Sequence, residues 1–200
     1  DPLAVPSGND YSGIAGDFDI FTHQTYSPPG QWRATAGFFT KFLVDLTGKD
    51  VWPCVHVENY AFATTPDETR EMLSQVFRNG GSGFHFYWPD TAGPGKLVGD
   101  MRLCYFGSPR RYNTILNTIK TTQTMPKLRL PAKTRTAILY NDDMLQSTLQ
   151  DIGGTDRTPW FSTEACYTLL GPVARTWFTF IDDSKVLSQP LNQQFDTMYV

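Results

Sequence analysis

Short apolar runs alternate with helix-like segments through the first 121 residues, and this alternation constrains the fold more than any other feature of the chain. The predicted strands cover residues 17–23, 51–58 and 83–88. The predicted helices, whose apolar residues recur at helical spacing, cover 31–46, 65–78 and 100–121. This order predicts a parallel sheet with crossover helices, and the strand-to-strand spacing is that of a barrel βα unit. The predicted fold class is therefore α/β.

A second α/β domain is predicted after a break in composition. Pro126 and Pro131 bracket basic residues in a segment that is typical of a linker. Beyond it, apolar runs predict strands at 136–140, 176–181 and 197–200. The predicted domains are 1–124 and 134–200, joined by a linker at 125–133. Because the chain stops inside an apolar run, whose edge would stay unpaired, we expect the second domain to be incomplete.

Charge and composition exclude several functional classes. The net charge is −3 and no basic stripe occurs, so nucleic acid is not an expected partner. No apolar run approaches the roughly 20 residues that span a bilayer, so no membrane association is expected. The three cysteines are widely spaced and lack a Cys-x-x-Cys pattern, which argues against a disulfide framework or a zinc knuckle. The sequence does not indicate the cellular compartment.

Glu58 is the residue whose position most strongly indicates chemistry. It ends the apolar run 51–58, where a buried strand has little use for a charge. Alternate side chains of a strand share a face, so His56 and Glu58 are predicted to point to the same side. Barrel enzymes place their active sites at the carboxyl ends of the strands. We interpret Glu58 as a catalytic carboxylate of glycoside hydrolysis. A strand-end ion pair with Lys or Arg is the alternative.

Polar and aromatic residues near the same strand ends are predicted to contact a sugar. They are His23, Tyr26, His56, Asn59, Tyr60, His85, Tyr87 and Trp88. Aromatic residues make up 14% of the chain and offer flat apolar faces to a sugar ring, although such residues also fill cores. Trp52 is a further aromatic candidate for stacking on the sugar, and Tyr60 and Trp88 are favoured because they lie at strand ends. A second hypothesis groups His23, His56 and His85 around the metal of a hydrolase. The usual His-x-His pattern is absent, and we expect neither a metal nor a cofactor.

The strand ending at Glu58, the following capped helix and the run from Gly81 to Trp88 resemble the seventh and eighth βα units of a clan-A glycoside hydrolase barrel. The chain is most similar to the family forty-two β-galactosidases. The runs at 136–140, 167–182 and 195–200 resemble the start of the flavodoxin-like, amidotransferase-like domain that follows the barrel in that family. The resemblance implies the second half of a (β/α)8 TIM-type barrel, with Glu58 as the nucleophile of a retaining mechanism.

Two features depart from the family pattern. The family's acid/base glutamate follows an asparagine, and no Asn-Glu pair occurs in these 200 residues. Three strands are also too few to close an eight-stranded barrel. We therefore expect a fragment of a glycoside hydrolase, whose partners are a carbohydrate and either a second copy of the chain or the missing half of the barrel. The alternative is a non-catalytic carbohydrate-binding or structural barrel module.

Overall fold

The computed structural model describes residues 11–25, 32–55, 65–86, 109–124, 130–131, 134–141, 158–188 and 190–200. These residues form helices and parallel strands of the α/β class, as the alternating pattern predicts. The described residues fall into two compact units. The first contains 20–25, 32–40, 50–55, 65–86 and 109–124. The second contains 11–19, 41–49 and the described residues from 130 onward.

The first unit contains three neighbouring extended runs that pair in the order of the chain. The first run comprises β1 (Ile20–Phe21) and β2 (Gln24–Thr25), and the second comprises β3 (Asp50–Val51) and β4 (Cys54–Val55). They pair in parallel, β1 with β3 and β2 with β4, at one constant register. His85 of the third run forms a parallel bridge to Cys54. The predicted runs therefore pair in parallel, and in their described parts the paired segments are shorter than the apolar runs.

Helices of the first unit cover one face of these runs. They are residues 32–40 of α2 (Trp32–Thr47), α3 (Pro66–Arg78) and α4 (Pro109–Thr124). Strand and helix residues form one buried cluster of Ala36, Val55, Met72, Leu73, Val76 and Ile115. Phe84, Phe86, Tyr112 and Ile119 pack against this cluster. The apolar residues that recur at helical spacing in the sequence are therefore the residues that pack on the sheet.

The ends of α3 follow directly from its sequence. The Thr65 hydroxyl accepts a hydrogen bond from the Glu68 backbone N–H, and the Glu68 carboxylate accepts one from the Thr65 N–H. This is the capping box that the sequence predicts. Gly80 ends the helix with φ of +93°, a left-handed conformation that glycine adopts without steric cost.

The second unit is built on a three-stranded parallel sheet. Its strands are β5 (Thr136–Tyr140), β6 (Thr179–Asp182) and β7 (Thr197–Tyr199), in the order β6-β5-β7. The helices of this unit are α1 (Tyr11–Ile14), residues 41–47 of α2, α5 (Thr158–Thr168) and α6 (Asp183–Ser188). A π-helical turn at Leu169–Val173 extends α5. The structure confirms the predicted strand at 136–140 with the same bounds.

Aromatic side chains fill the core of the second unit. Phe42 of α2 is 1% exposed and meets the rings of Tyr11, Tyr140 and Phe180 edge-on, at centroid distances of 5.7, 4.8 and 5.4 Å. Edge-to-face contact is the geometry that aromatic pairs prefer, because a positive ring edge meets a negative ring face. Phe42 thus packs α2 on β5 and β6.

Candidate functional site

Most of the predicted site residues lie outside the residues that the structure describes. Glu58, His56, Asn59 and Tyr60 follow β4 in the chain, Tyr26 follows β2, and Tyr87 and Trp88 follow the third run. His23 and His85 are described. The described part of the site consists of the sheet that precedes these residues and of the two histidines.

The sheet of the first unit has one face covered by helices and one open face. Val55, Phe84 and Phe86 belong to the covered face, as the predicted alternation requires. On the open face, the described side chains that are exposed are Ile20, Thr22, Gln24, Asp50, Trp52 and His85. Parallel sheets normally bury both faces. The open face therefore combines polar groups with apolar surface that a further layer would cover.

His85 is held on the open face by hydrogen bonds that join all three runs. Its Nδ1 lies 2.9 Å from the Trp52 carbonyl oxygen and 3.5 Å from the Thr22 hydroxyl. A carbonyl oxygen can only accept a hydrogen bond, so Nδ1 carries the ring hydrogen when the imidazole is neutral. Nε2 then has a lone pair that can accept a hydrogen bond from a ligand hydroxyl. His85 thus has a defined tautomer and orientation.

His23 lies on the opposite face and contacts α2. Its Nε2 is 3.0 Å from the Thr40 hydroxyl, its Nδ1 is 3.0 Å from the Thr25 hydroxyl, and its ring packs on Phe39 at 5.5 Å. Burial lowers the pKa of His23 to about 3, because a charged imidazolium would lose its hydration. His23 is therefore neutral near pH 7. The structure does not bring His23 and His85 to the same face of the sheet.

His23 is expected to make the stability of the protein depend on pH. Because its pKa of about 3 in the folded state is below the ordinary value of 6.5, the unfolded state binds the proton first as the pH falls. The contribution of His23 to stability is therefore complete well above pH 6.5 and is lost as the pH falls from 6.5 toward 3. A fall in pH from 7 to 5 should lower the free energy of unfolding by about 2 kcal/mol, because His23 is protonated in the unfolded state and not in the folded state. Urea unfolding of wild-type protein and His23→Gln measures this difference.

The matched control is Gln24→Asn, which changes the neighbouring residue without altering a titratable group. It should retain the full wild-type loss between pH 7 and pH 5, whereas His23→Gln should lack the part that His23 causes. Identical pH dependence in wild type and His23→Gln would show that the ring is not desolvated.

Trp52, one of the aromatic residues predicted to stack on a sugar ring, lies on the open face. Its Nε1–H donates a hydrogen bond to the Ser82 hydroxyl at 3.1 Å, and its indole lies directly against Gly83. A Cβ added at Gly83 would come 2.9 Å from the Trp52 Nε1, so only glycine fits beneath the ring. Trp52 remains 41% exposed.

The metal hypothesis is only partly covered by the described residues. Among them, no three His, Cys, Asp or Glu side chains come together as a metal site. His23 and His85 lie on opposite faces, and His56 is outside the described residues.

The remaining observations concern the membrane and known proteins. Within the described residues, none of the helices is long and apolar enough to cross a membrane. Comparisons with protein-family models, with curated proteins and with solved structures gave no significant match to this chain.

Proposed function

We propose that this chain is part of a retaining glycoside hydrolase in which Glu58 is the nucleophile. In this mechanism a carboxylate attacks the anomeric carbon, and a second carboxylate about 5–5.5 Å away protonates the leaving oxygen. The second carboxylate is proposed to come from outside these 200 residues, because the chain contains no Asn-Glu pair. The substrate class is a carbohydrate with a β-galactoside-like linkage.

The observation that carries this proposal is the parallel pairing of the three runs in chain order. Thr25 pairs with Val55, and Cys54 pairs with His85, so the carboxyl ends of all three runs lie along one edge of the sheet. Sequential parallel strands with helices on one face are the repeating unit of a (β/α)8 barrel. Glu58 comes three residues after Val55, and three residues span at most about 10 Å. We propose that Glu58 acts at this edge.

The open face supports the proposal that this sheet is part of a barrel whose interior the face would line. In a barrel, side chains that point away from the helices fill the interior, and those near the carboxyl ends line the active site. Thr22, Gln24, Trp52 and His85 are such side chains. With the hydrogen on Nδ1, the Nε2 of His85 is proposed to accept a hydrogen bond from within this interior.

The second unit supports the proposed flavodoxin-like, amidotransferase-like domain. Its strands follow the order β6-β5-β7, so the first strand in the chain is central and the next two flank it. This 2-1-3 order is the beginning of the 2-1-3-4-5 sheet of flavodoxin-like folds. In the proposal the segment that begins at residue 134 follows the barrel in the chain and contributes to assembly of the protein.

The experiment that tests the function is covalent trapping of Glu58. An activated 2-deoxy-2-fluoro-β-galactoside with a dinitrophenolate leaving group needs no protonation of that group, so a missing acid/base does not prevent attack. The anomeric carbon bonds to a Glu58 carboxylate oxygen, and dinitrophenolate leaves with the electron pair of the broken bond. Mass spectrometry of peptides from the full-length protein should find a fluoroglycosyl group on Glu58.

Other outcomes are equally informative. A label on another carboxylate would assign the nucleophile elsewhere. Saturable binding of galactosides with no label on any residue would indicate the non-catalytic carbohydrate-binding module instead. Neither labelling nor binding across a panel of activated glycosides would contradict both functions.

A further inference from the structure

One side of α5 and of the π-helical turn that extends it carries a row of exposed apolar residues. Phe161 is 50% exposed, Leu169 is 60% exposed and Val173 is 66% exposed. Ala165, between the first two, is also exposed. These residues recur every four positions, so they lie one above another along the helix. We call Phe161, Ala165, Leu169 and Val173 the outer stripe.

The opposite side of α5 packs into the core of the second unit through Tyr167. This residue is 4% exposed, and its ring meets that of Phe178 edge-on at 5.9 Å. Tyr167 is two positions from both Ala165 and Leu169, which on a helix is roughly half a turn. α5 is therefore apolar on both sides. Because a helix that is apolar all round is normally buried, we expect another surface to cover the outer stripe.

The π-helical turn keeps the outer stripe in line up to its end. Residues four apart on an α-helix drift around its axis, because one turn takes only 3.6 residues. Between Leu169 and Val173 the helix widens, and the Ala174 N–H donates a hydrogen bond to the Leu169 carbonyl oxygen five positions earlier, at 2.8 Å. The wider turn reduces the drift over this last step, so Val173 stays on the same side as Leu169.

Charge does not select the partner of the outer stripe. None of its four residues is charged, and neither are Ser162 and Thr168 beside it. The charged residue within this part of α5 is Glu164, which is half-buried and lies one turn before Tyr167, the residue that packs into the core. A surface without charge does not repel a copy of itself, whereas a surface of one sign would.

The sizes of the four side chains complement each other when two helices run antiparallel around a two-fold axis. Such an axis lies midway between Ala165 and Leu169, so that the Leu169 of each copy faces the Ala165 of the other. The same axis brings each Phe161 opposite the other copy's Val173. A larger side chain thus meets a smaller one at every contact. A two-fold contact of this kind uses the same patch on both chains.

We propose that the outer stripe of α5 binds the outer stripe of a second copy of this chain as an antiparallel helix pair. The small size of the stripe indicates a weak dimer, because a standard interface buries about 800 Å² on each partner. Half-exposed Phe161 contributes only about 100 Å² of this area. The dimer should therefore dissociate at concentrations on the order of 100 µM. This inference does not depend on glycoside hydrolysis.

Sedimentation equilibrium of the full-length protein, at concentrations up to about 1 mM, measures the dissociation constant. Leu169→Glu should raise this constant on the order of a hundredfold, because the carboxylate would lose water opposite an alanine. Leu187→Glu is the matched control, since it makes the same change at a leucine of α6 that is 87% exposed. The control should keep the wild-type constant. Circular dichroism in dilute solution checks that both variants fold.

A mixture of two variants tests the antiparallel arrangement. Ala165→Lys should also weaken the dimer by itself. When Ala165→Lys is mixed with Leu169→Glu, the lysine of one chain faces the glutamate of the other, so a heterodimer should form at least tenfold more tightly than either homodimer. If Leu169→Glu does not fold, Ala165→Lys measured against Leu187→Glu decides.

Three results would overturn the proposal. The first is a wild-type protein that stays monomeric up to about 1 mM, which would leave the outer stripe to a different partner. The second is an equal effect of Leu169→Glu and Leu187→Glu on the dissociation constant. The third is a mixture of the two folded variants that associates no better than either variant alone.

Discussion

Glu58→Gln is expected to lower kcat for β-galactoside hydrolysis by the full-length protein on the order of 10⁴-fold or more. The amide has nearly the shape of the carboxylate but cannot form the glycosyl-enzyme bond, so the loss falls on the chemical step. KM for the same substrate should change little, because the sugar contacts remain. Steady-state kinetics with an aryl galactoside measures both constants.

Glu71→Gln is the matched control. Glu71 lies on α3, where its carboxylate accepts hydrogen bonds from Arg78 and Gln75. The same change of charge there should leave kcat within a few-fold of wild type. Retention of wild-type turnover by Glu58→Gln would exclude the nucleophile role. Loss of turnover in both variants would point to a general effect of charge or folding.

Phe42→Ala is expected to lower the free energy of unfolding of the second unit by about 3–5 kcal/mol. The substitution removes a fully buried ring that contacts Tyr11, Tyr140 and Phe180, and it leaves a cavity that the surrounding sheet cannot close. The edge-to-face contacts that Phe42 makes add to the loss of buried area. Denaturant unfolding, followed by a probe in the second unit, measures the change.

Phe161→Ala makes the same chemical change at a position that is 50% exposed. Phe161→Ala should lower the free energy of unfolding by less than about 1 kcal/mol, because half of this side chain remains in water in the folded protein. Equal destabilisation by the two substitutions would show that Phe42 is not a core residue of this unit.

Local sequence signals predicted the helix ends and the faces of the strands well. Thr65 and Glu68 form their capping box from residues only three positions apart, so the neighbouring sequence alone determines the contact. The alternation at 84–86 correctly separates the buried phenylalanines from His85, because strand geometry sends successive side chains to opposite faces. The π-helical turn after α5 was not predicted.

Strand lengths and histidine environments were harder to predict. The run 51–58 was predicted as one strand, whereas the described part pairs as β3 and β4 on either side of Trp52 and Pro53. Trp52 and Cys54, on either side of Pro53, still donate backbone hydrogen bonds to the carbonyl oxygens of Phe21 and His23. The Trp52 carbonyl oxygen accepts a hydrogen bond from the His85 side chain. His23 and His85 look equivalent in sequence, but their ring contacts come from residues 17 and 33 positions away.

The sequence by itself determined the α/β alternation, the N-terminal cap of α3 and the alternating faces of residues 84–86, because these depend on residues within a few positions. Only the tertiary structure decided the strand orders, the neutral buried state of His23, the fixed tautomer of His85 and the contact of Asp45 with β6. Asp45 and Phe180 are 135 positions apart in the chain. Such contacts depend on how separate elements pack together, and no local pattern of residues encodes that packing.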